Sequence, residues 1–211
     1  MVNVELRLPD QAYVNKFVPK NKFYERAHLS ARLQKEFTDK IQRITWKFKL
    51  SEETIGISKT EGVTEIQIFE LELKVQDIPV KALKIIDKTI PYQILYKFTC
   101  KDSVAWGITL KDGTKAERYY FSEWDEPVSF DFTGIDLEKV YQKLVKAFIG
   151  NHAKNGVSFS EIIAVDAKIL LLEKEIAGLE KKIAKEKQFN RKVEIHKVLL
   201  EKREQLKRLK P

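Results

Sequence analysis

Val63-Thr64-Glu65-Ile66-Gln67-Ile68-Phe69-Glu70-Leu71-Glu72-Leu73-Lys74-Val75 is the stretch that decides the fold class. Its residues alternate with a period of two, and β-branched side chains enter near its start. That pattern is the signature of a strand whose two faces meet different surroundings. One face, Phe69, Leu71 and Leu73, is apolar. The other carries Ile66 and Ile68, then Glu70, Glu72 and Lys74. Beyond it, Pro79 can open a short helix with Leu83, Ile86 and Ile90 on one side, and Pro91 ends that helix. Three strands follow: Tyr92 to Thr99, Val104 to Leu110 and Lys115 to Glu123. Asp112-Gly113 joins the last two, because both residue types tolerate the positive φ of a two-residue hairpin turn. The expected fold class is α+β, a mostly antiparallel sheet of four or more strands with packing helices.

Upstream, Leu29, Leu33, Phe37, Ile41, Ile44 and Phe48 recur every three or four residues, which predicts a helix from about Leu29 to Trp46. The segment before it, broken by Pro9 and Pro19, reads as irregular. Downstream, Asp136 to Ile149 is an amphipathic helix with Leu137, Val140, Tyr141, Leu144, Val145 and Phe148 inward and Gly150 as its stop. Residues 151–157 have no periodicity and serve as a linker between a body, 1–150, and a tail, 158–211.

The tail opens on Ser158-Phe159-Ser160-Glu161, a capping box. Ile162, Val165, Ile169, Leu172, Ile176, Leu179 and Ile183 then alternate spacings of three and four, the seam of a coiled coil. These seven are the candidate oligomerisation residues. A second apolar track, Val193, Ile195, Leu199, Leu206 and Leu209, follows an interruption at Gln188-Phe189-Asn190. Two helices folded back on each other account for this. A single long helix that dimerises is the rival, since no Gly or Pro enforces a turn.

Composition bounds the rest. The chain has 211 residues, 43% hydrophobic and 33% charged, too apolar for a disordered protein. No apolar run approaches the ~20 residues of a membrane span, and the N-terminus lacks a basic-then-apolar signal segment. Cys100 has no internal partner, and one cysteine with three scattered histidines leaves little for structural zinc. A cytoplasmic protein without a membrane partner is expected. Of the net charge of +8, residues 158–211 carry +5, from 14 Lys and Arg against 9 Asp and Glu. Most of these charges interleave as on a solvated helix. Lys202, Arg203, Lys207, Arg208 and Lys210 form the one convincingly basic stretch, the candidate contact for nucleic acid.

One constellation suggests chemistry. Glu72-Leu73-Lys74 puts an acid and a lysine on one side of a strand, as in PD-(D/E)xK nucleases, where the carboxylate holds a metal and the lysine stabilises charge. Glu70, Glu72 and Lys74 are therefore the catalytic candidates. Magnesium enters only on this reading, and it requires a second carboxylate, with Glu53, Glu65 or Glu70 as nominees. The plainer alternative is a half-exposed strand whose polar face pairs with Lys and Arg of its neighbours. No phosphate-cradling glycine loop, nucleophile elbow or zinc-protease motif is present. His28, His152 and His196 have no ligand-spaced partners.

Taken together, Phe17-Val18-Pro19-Lys20 with Phe23-Tyr24, Ile44-Thr45-Trp46-Lys47-Phe48-Lys49-Leu50-Ser51, Glu65-Ile66-Gln67-Ile68-Phe69, Ile86-Asp87-Lys88-Thr89-Ile90-Pro91-Tyr92 and Lys185-Glu186-Lys187-Gln188-Phe189-Asn190-Arg191-Lys192-Val193-Glu194 resemble an uncharacterised bacterial family of about this length. The resemblance covers nearly the whole chain and departs at His196, where the family tends to carry a short polar amide. Genes of that family often lie beside DNA methyltransferase and helicase genes of restriction-type, phage-defence loci. The resemblance implies a role in such a system and no defined activity; together with the coiled-coil seam, the expected function is an accessory or assembly protein, self-associating or docked on a helicase or methyltransferase through its helical tail. A magnesium-dependent nuclease and a non-specific nucleic-acid-binding module are the alternatives.

Overall fold

The computed structural model describes residues 6–111, 118–149 and 157–210. The chain divides into two units, Met1–Phe148 and Ile149–Pro211. The first contains a six-stranded sheet in the order β1-β2-β3-β4-β5-β6, formed by β1 (Tyr13–Phe17), β2 (Ile41–Leu50), β3 (Ile66–Leu73), β4 (Gln93–Cys100), β5 (Ser103–Leu110) and β6 (Arg118–Phe121). The deciding stretch is β3, one of the two central strands. Phe69, Leu71 and Leu73 are buried against Phe23 of α1 (Asn21–Arg26), Phe37 of α2 (Ala31–Lys40) and Leu83 and Ile86 of α4 (Val80–Thr89). A short helix, α3 (Glu52–Ile55), follows β2. The mixed order of helices and strands around one sheet bears out the α+β expectation.

Two expectations are corrected. The helix predicted from Leu29 to Trp46 stops at Lys40, and β2 begins at Ile41. Ile41, Ile44 and Phe48 satisfy a helical spacing, yet Ile44, Trp46, Phe48 and Leu50 also alternate, and the segment is rich in β-branched and aromatic residues. Pairing decides between the two: β2 runs antiparallel to β3 along its whole length, with Ile44 opposite Leu71 and Trp46 opposite Phe69, so tertiary context overrides the local period. The irregular start contains a 3₁₀ turn at Asp10–Ala12, the edge strand β1 and the six-residue α1. All three are too short or too exposed to show a period. β1 is bulged between Tyr13 and Lys16, and Asn15 there has φ +47°, in the left-handed region.

β3 and β4 are parallel, joined by the crossover helix α4; the other pairings are antiparallel. The Asp112-Gly113 turn lies outside the described residues, as do Gly150 and residues 151–156 of the linker. At the centre of β5, Gly107 lets two rings close over the backbone. A Cβ there would lie 2.6 Å from Cδ1 of Phe121 and 2.9 Å from Cε2 of Phe98. Buried Asp87 of α4 accepts from Thr109 Oγ1 (2.8 Å) and Tyr119 Oη (2.7 Å). Lys111 Nζ donates to the carbonyls of Ile90 (3.1 Å) and Tyr92 (2.6 Å). These bonds fasten the end of α4 to the last strands and satisfy orphan helix carbonyls.

The opposite sheet face is covered by α5 (Leu137–Ile149), capped by Asp136 Oδ1, which accepts from the backbone N–H of Lys139 at 2.7 Å. Leu137, Val140, Tyr141, Leu144 and Val145 are buried as expected. Phe148 reaches Phe130, and Phe130 reaches Trp106 of β5, at ring separations of 5.8 and 4.8 Å.

The second unit holds α6 (Phe159–Lys185) and α7 (Phe189–Leu209), which pair with each other. The capping box is formed: Glu161 accepts from the Ser158 backbone N–H, and Ser158 Oγ from that of Glu161. No helix among the described residues is long and apolar enough to cross a membrane.

Candidate functional site

β3 aims Glu70 and Glu72 to one side, whereas Lys74 lies just past its end. Glu70 sits between two lysines, Lys47 of β2 at 3.6 Å and Lys97 of β4 at 3.5 Å. Lys47 also donates to Asn15 Oδ1 at 3.3 Å. Lys74 reaches away and donates to the Thr38 carbonyl near the end of α2, at 2.7 Å. Glu72 is exposed, with Arg43 on one neighbouring strand and Thr99 on the other. Glu65, nominated as a second carboxylate, is buried, bonded to Gln67 Nε2 and 3.3 Å from Lys49.

A nuclease of the PD-(D/E)xK type needs two carboxylates converging on one cation with the lysine beside them. The order β3, α4, β4 matches that plan, but the strands flanking Glu70 and Glu72 offer lysines, arginine and threonine. Among the described residues no three His, Cys, Asp or Glu side chains cluster as a metal site. The geometry matches the plainer alternative, an acidic stripe neutralised by basic neighbours. Sequence reading missed Lys47 as a partner because Leu29 to Trp46 reads as a helix, so no strand β2 is expected beside β3. A cleft of about 750 Å³ lies over this stripe, bordered by Arg7, Tyr13, Phe48 and Trp106.

The seam residues of the tail face inward. Ile162, Ile169, Leu172 and Ile176 are buried, and Val165, Leu179 and Ile183 half-buried. On α7, Leu199 is buried. Ion pairs fix the direction of packing: Lys210 with Glu173 (2.6 Å), Arg203 with Glu180 (2.8 Å) and Lys202 with Glu175 (2.7 Å). Late residues of α7 thus meet early ones of α6, so the helices are antiparallel and paired within one chain. The turn comes at 186–188, slightly earlier than expected and without Gly or Pro. Glu186 makes it instead: its Oε1 accepts from the backbone N–H groups of Lys187 and Gln188 at 2.8 and 2.9 Å. The Gln188 bond, helped by that of Lys187 and by the charge of Arg191, holds the Glu186 carboxyl below its ordinary pKa.

This arrangement redistributes the basic charge. Three of the five candidate nucleic-acid contacts, Lys202, Arg203 and Lys210, are occupied by acids of α6; among the described residues only Lys207 and Arg208 of that set have no ion pair. The hairpin turn is different. Residues 181–192 hold six basic side chains against the single acid Glu186. A running charge count would have found this cluster; reading the tail's charges as interleaved along a solvated helix hid it.

The model of a family described as a domain of unknown function, DUF4391, matches residues 6–206, in line with the resemblance drawn from the sequence. No curated protein and no solved structure matches the chain.

Proposed function

We propose, for a chain that belongs to the DUF4391 family, the role of an assembly protein in a bacterial restriction-type or phage-defence system: the α+β body is a folded platform and the helical hairpin docks a protein partner. One observation carries this reading. After α6 and α7 have buried their seam in each other, Leu170, Leu171, Val193, Val198 and Leu200 remain 40–56% exposed on the hairpin. A two-helix unit has no further layer of its own to cover them, and exposed apolar side chains offer a partner surface to bury. The resemblance, which implies a restriction-type locus, favours a methyltransferase or helicase as the partner, with a second copy of this chain as the other.

The test is co-expression with a restriction-type methyltransferase and helicase from the same genome, followed by size-exclusion chromatography with light scattering. The wild-type chain is expected to co-elute with one of them or to self-associate. Leu171→Glu with Leu200→Glu should abolish the association while far-UV circular dichroism stays unchanged. A wild-type chain that remains monomeric and joins neither protein overturns the assembly role.

A further inference from the structure

We propose that the turn of the α6–α7 hairpin is a nucleic-acid-binding tip that grips the phosphate backbone. The proposal rests on the charge of the turn and not on the docking role, although Val198 of the exposed apolar set also borders the cleft at the tip. Lys181, Lys182 and Lys185 end α6, Lys187 lies in the turn, and Arg191 and Lys192 begin α7. Among these six, only Arg191 has an ion pair, a loose one of 4.0 Å to Glu186. The same helices neutralise Lys202, Arg203 and Lys210 with acids, so bare charge is concentrated at the tip. Crowding like charges on a narrow end costs self-repulsion, which a polyanion relieves.

Two further features favour nucleic acid over an acidic protein. A cleft of about 670 Å³ opens at the tip; four cations, Lys181, Lys182, Lys185 and Arg191, share its walls with Leu179 and Ile195, while Glu186 and Glu194 are the acids there. A phosphate with its sugar presents anionic and apolar surface together. Phe189, 78% exposed and flanked by Gln188 and Asn190, stands at the start of α7. An exposed ring among cations stacks on any base, and the amides can bond base edges.

Neutralising about five phosphates predicts a slope of log K against log salt near −4.5 on duplex DNA, so raising salt from 50 to 200 mM should weaken binding ~500-fold. The experiment is fluorescence anisotropy on the full chain with a labelled duplex, a labelled single strand of the same sequence and a labelled poly-glutamate peptide, at several salt concentrations. Lys182→Gln with Lys185→Gln should cut nucleic-acid affinity about tenfold or more and lower the slope by about two. Phe189→Ala should weaken the single strand more than the duplex. Lys207→Gln with Arg208→Gln should stay within about threefold of wild type. All these positions are exposed, and circular dichroism checks each fold. No binding to either nucleic acid overturns the proposal, as does binding that only the Lys207–Arg208 pair abolishes. Tighter binding of poly-glutamate than of both nucleic acids also overturns it and assigns the tip to an acidic protein.

Discussion

Leu199→Ala isolates what holds the hairpin closed. Leu199 is 3% exposed, the one fully buried residue of α7, and it belongs to the half of the seam that faces Leu172 to Ile183. Truncating a buried Leu costs ~2–5 kcal/mol. A two-helix seam has a single packed layer and room to collapse, so the low end, about 2–3 kcal/mol, applies here. The competing contribution is electrostatic. Arg203 pairs with Glu180 at 2.8 Å, but both side chains are about half exposed, and exposed pairs contribute ~0.2–1 kcal/mol. Burial should therefore outweigh the ion pair by roughly 2 kcal/mol, a factor of ~30 in the opening equilibrium. Native-state hydrogen exchange of the α7 amides measures that equilibrium directly. Leu199→Ala should accelerate exchange in α7 by ~30–150-fold and Arg203→Ala by less than about fivefold. A larger effect from Arg203→Ala would refute the packing argument. In a chain that also carries Leu171→Glu and Leu200→Glu, protection that rises with concentration would refute the intrachain seam, because α7 would then be held by another copy.

Two further outcomes test the body. Gly107→Ala places a methyl 2.6 Å from Phe121 and 2.9 Å from the fully buried Phe98; overpacking of this kind costs ~1–3 kcal/mol, and thermal melts should show a lower Tm that Phe121→Ala in the same chain partly restores. Asp131 is held down to a pKa of about 2 by Lys143, whose Nζ lies 2.6 Å away, and by the hydroxyl and backbone N–H of Thr133. Since the folded value lies below the ordinary 3.8, its stabilisation is complete above about pH 4 and disappears as the pH falls toward 2. The Tm difference between wild type and Lys143→Ala should shrink over that interval, and a constant difference down to pH 2 would count against the pairing.

Long, strongly periodic elements were legible in the sequence. β3, α5 and the α6 seam each show one period over eight or more residues, and packing on one face imposes that period. The failures share a cause as well. At Ile41–Phe48 two periods fit the same residues, and only the neighbouring strand decides between them. In β1 an exposed, bulged edge carries almost no apolar pattern. For the candidate site, alternation put Glu70 and Glu72 on one side of β3, but Lys74 falls past the strand's end and bonds to Thr38 of α2. Alternation could not show that Lys47 and Lys97 bracket Glu70, because those partners come from strands about 25 residues away on either side. The tail's charges misled in the opposite direction: local basicity pointed to Lys202–Lys210, whereas antiparallel packing brought Glu173, Glu175 and Glu180 to that end.

The strand order leaves β1 and β6 as the borders of the sheet. Unpaired border strands template the addition of further strands, the route by which sheets polymerise. Here one border is a five-residue strand broken by a bulge, with Asn15 in a left-handed conformation and Lys16 beside it, and the other spans four of the described residues, Arg118–Phe121. Among the described residues neither presents a long straight border. Copies of this chain are thereby discouraged from joining sheet to sheet, and any ordered assembly is channelled through side-chain packing of helices, where stoichiometry is finite and a substitution can switch it off.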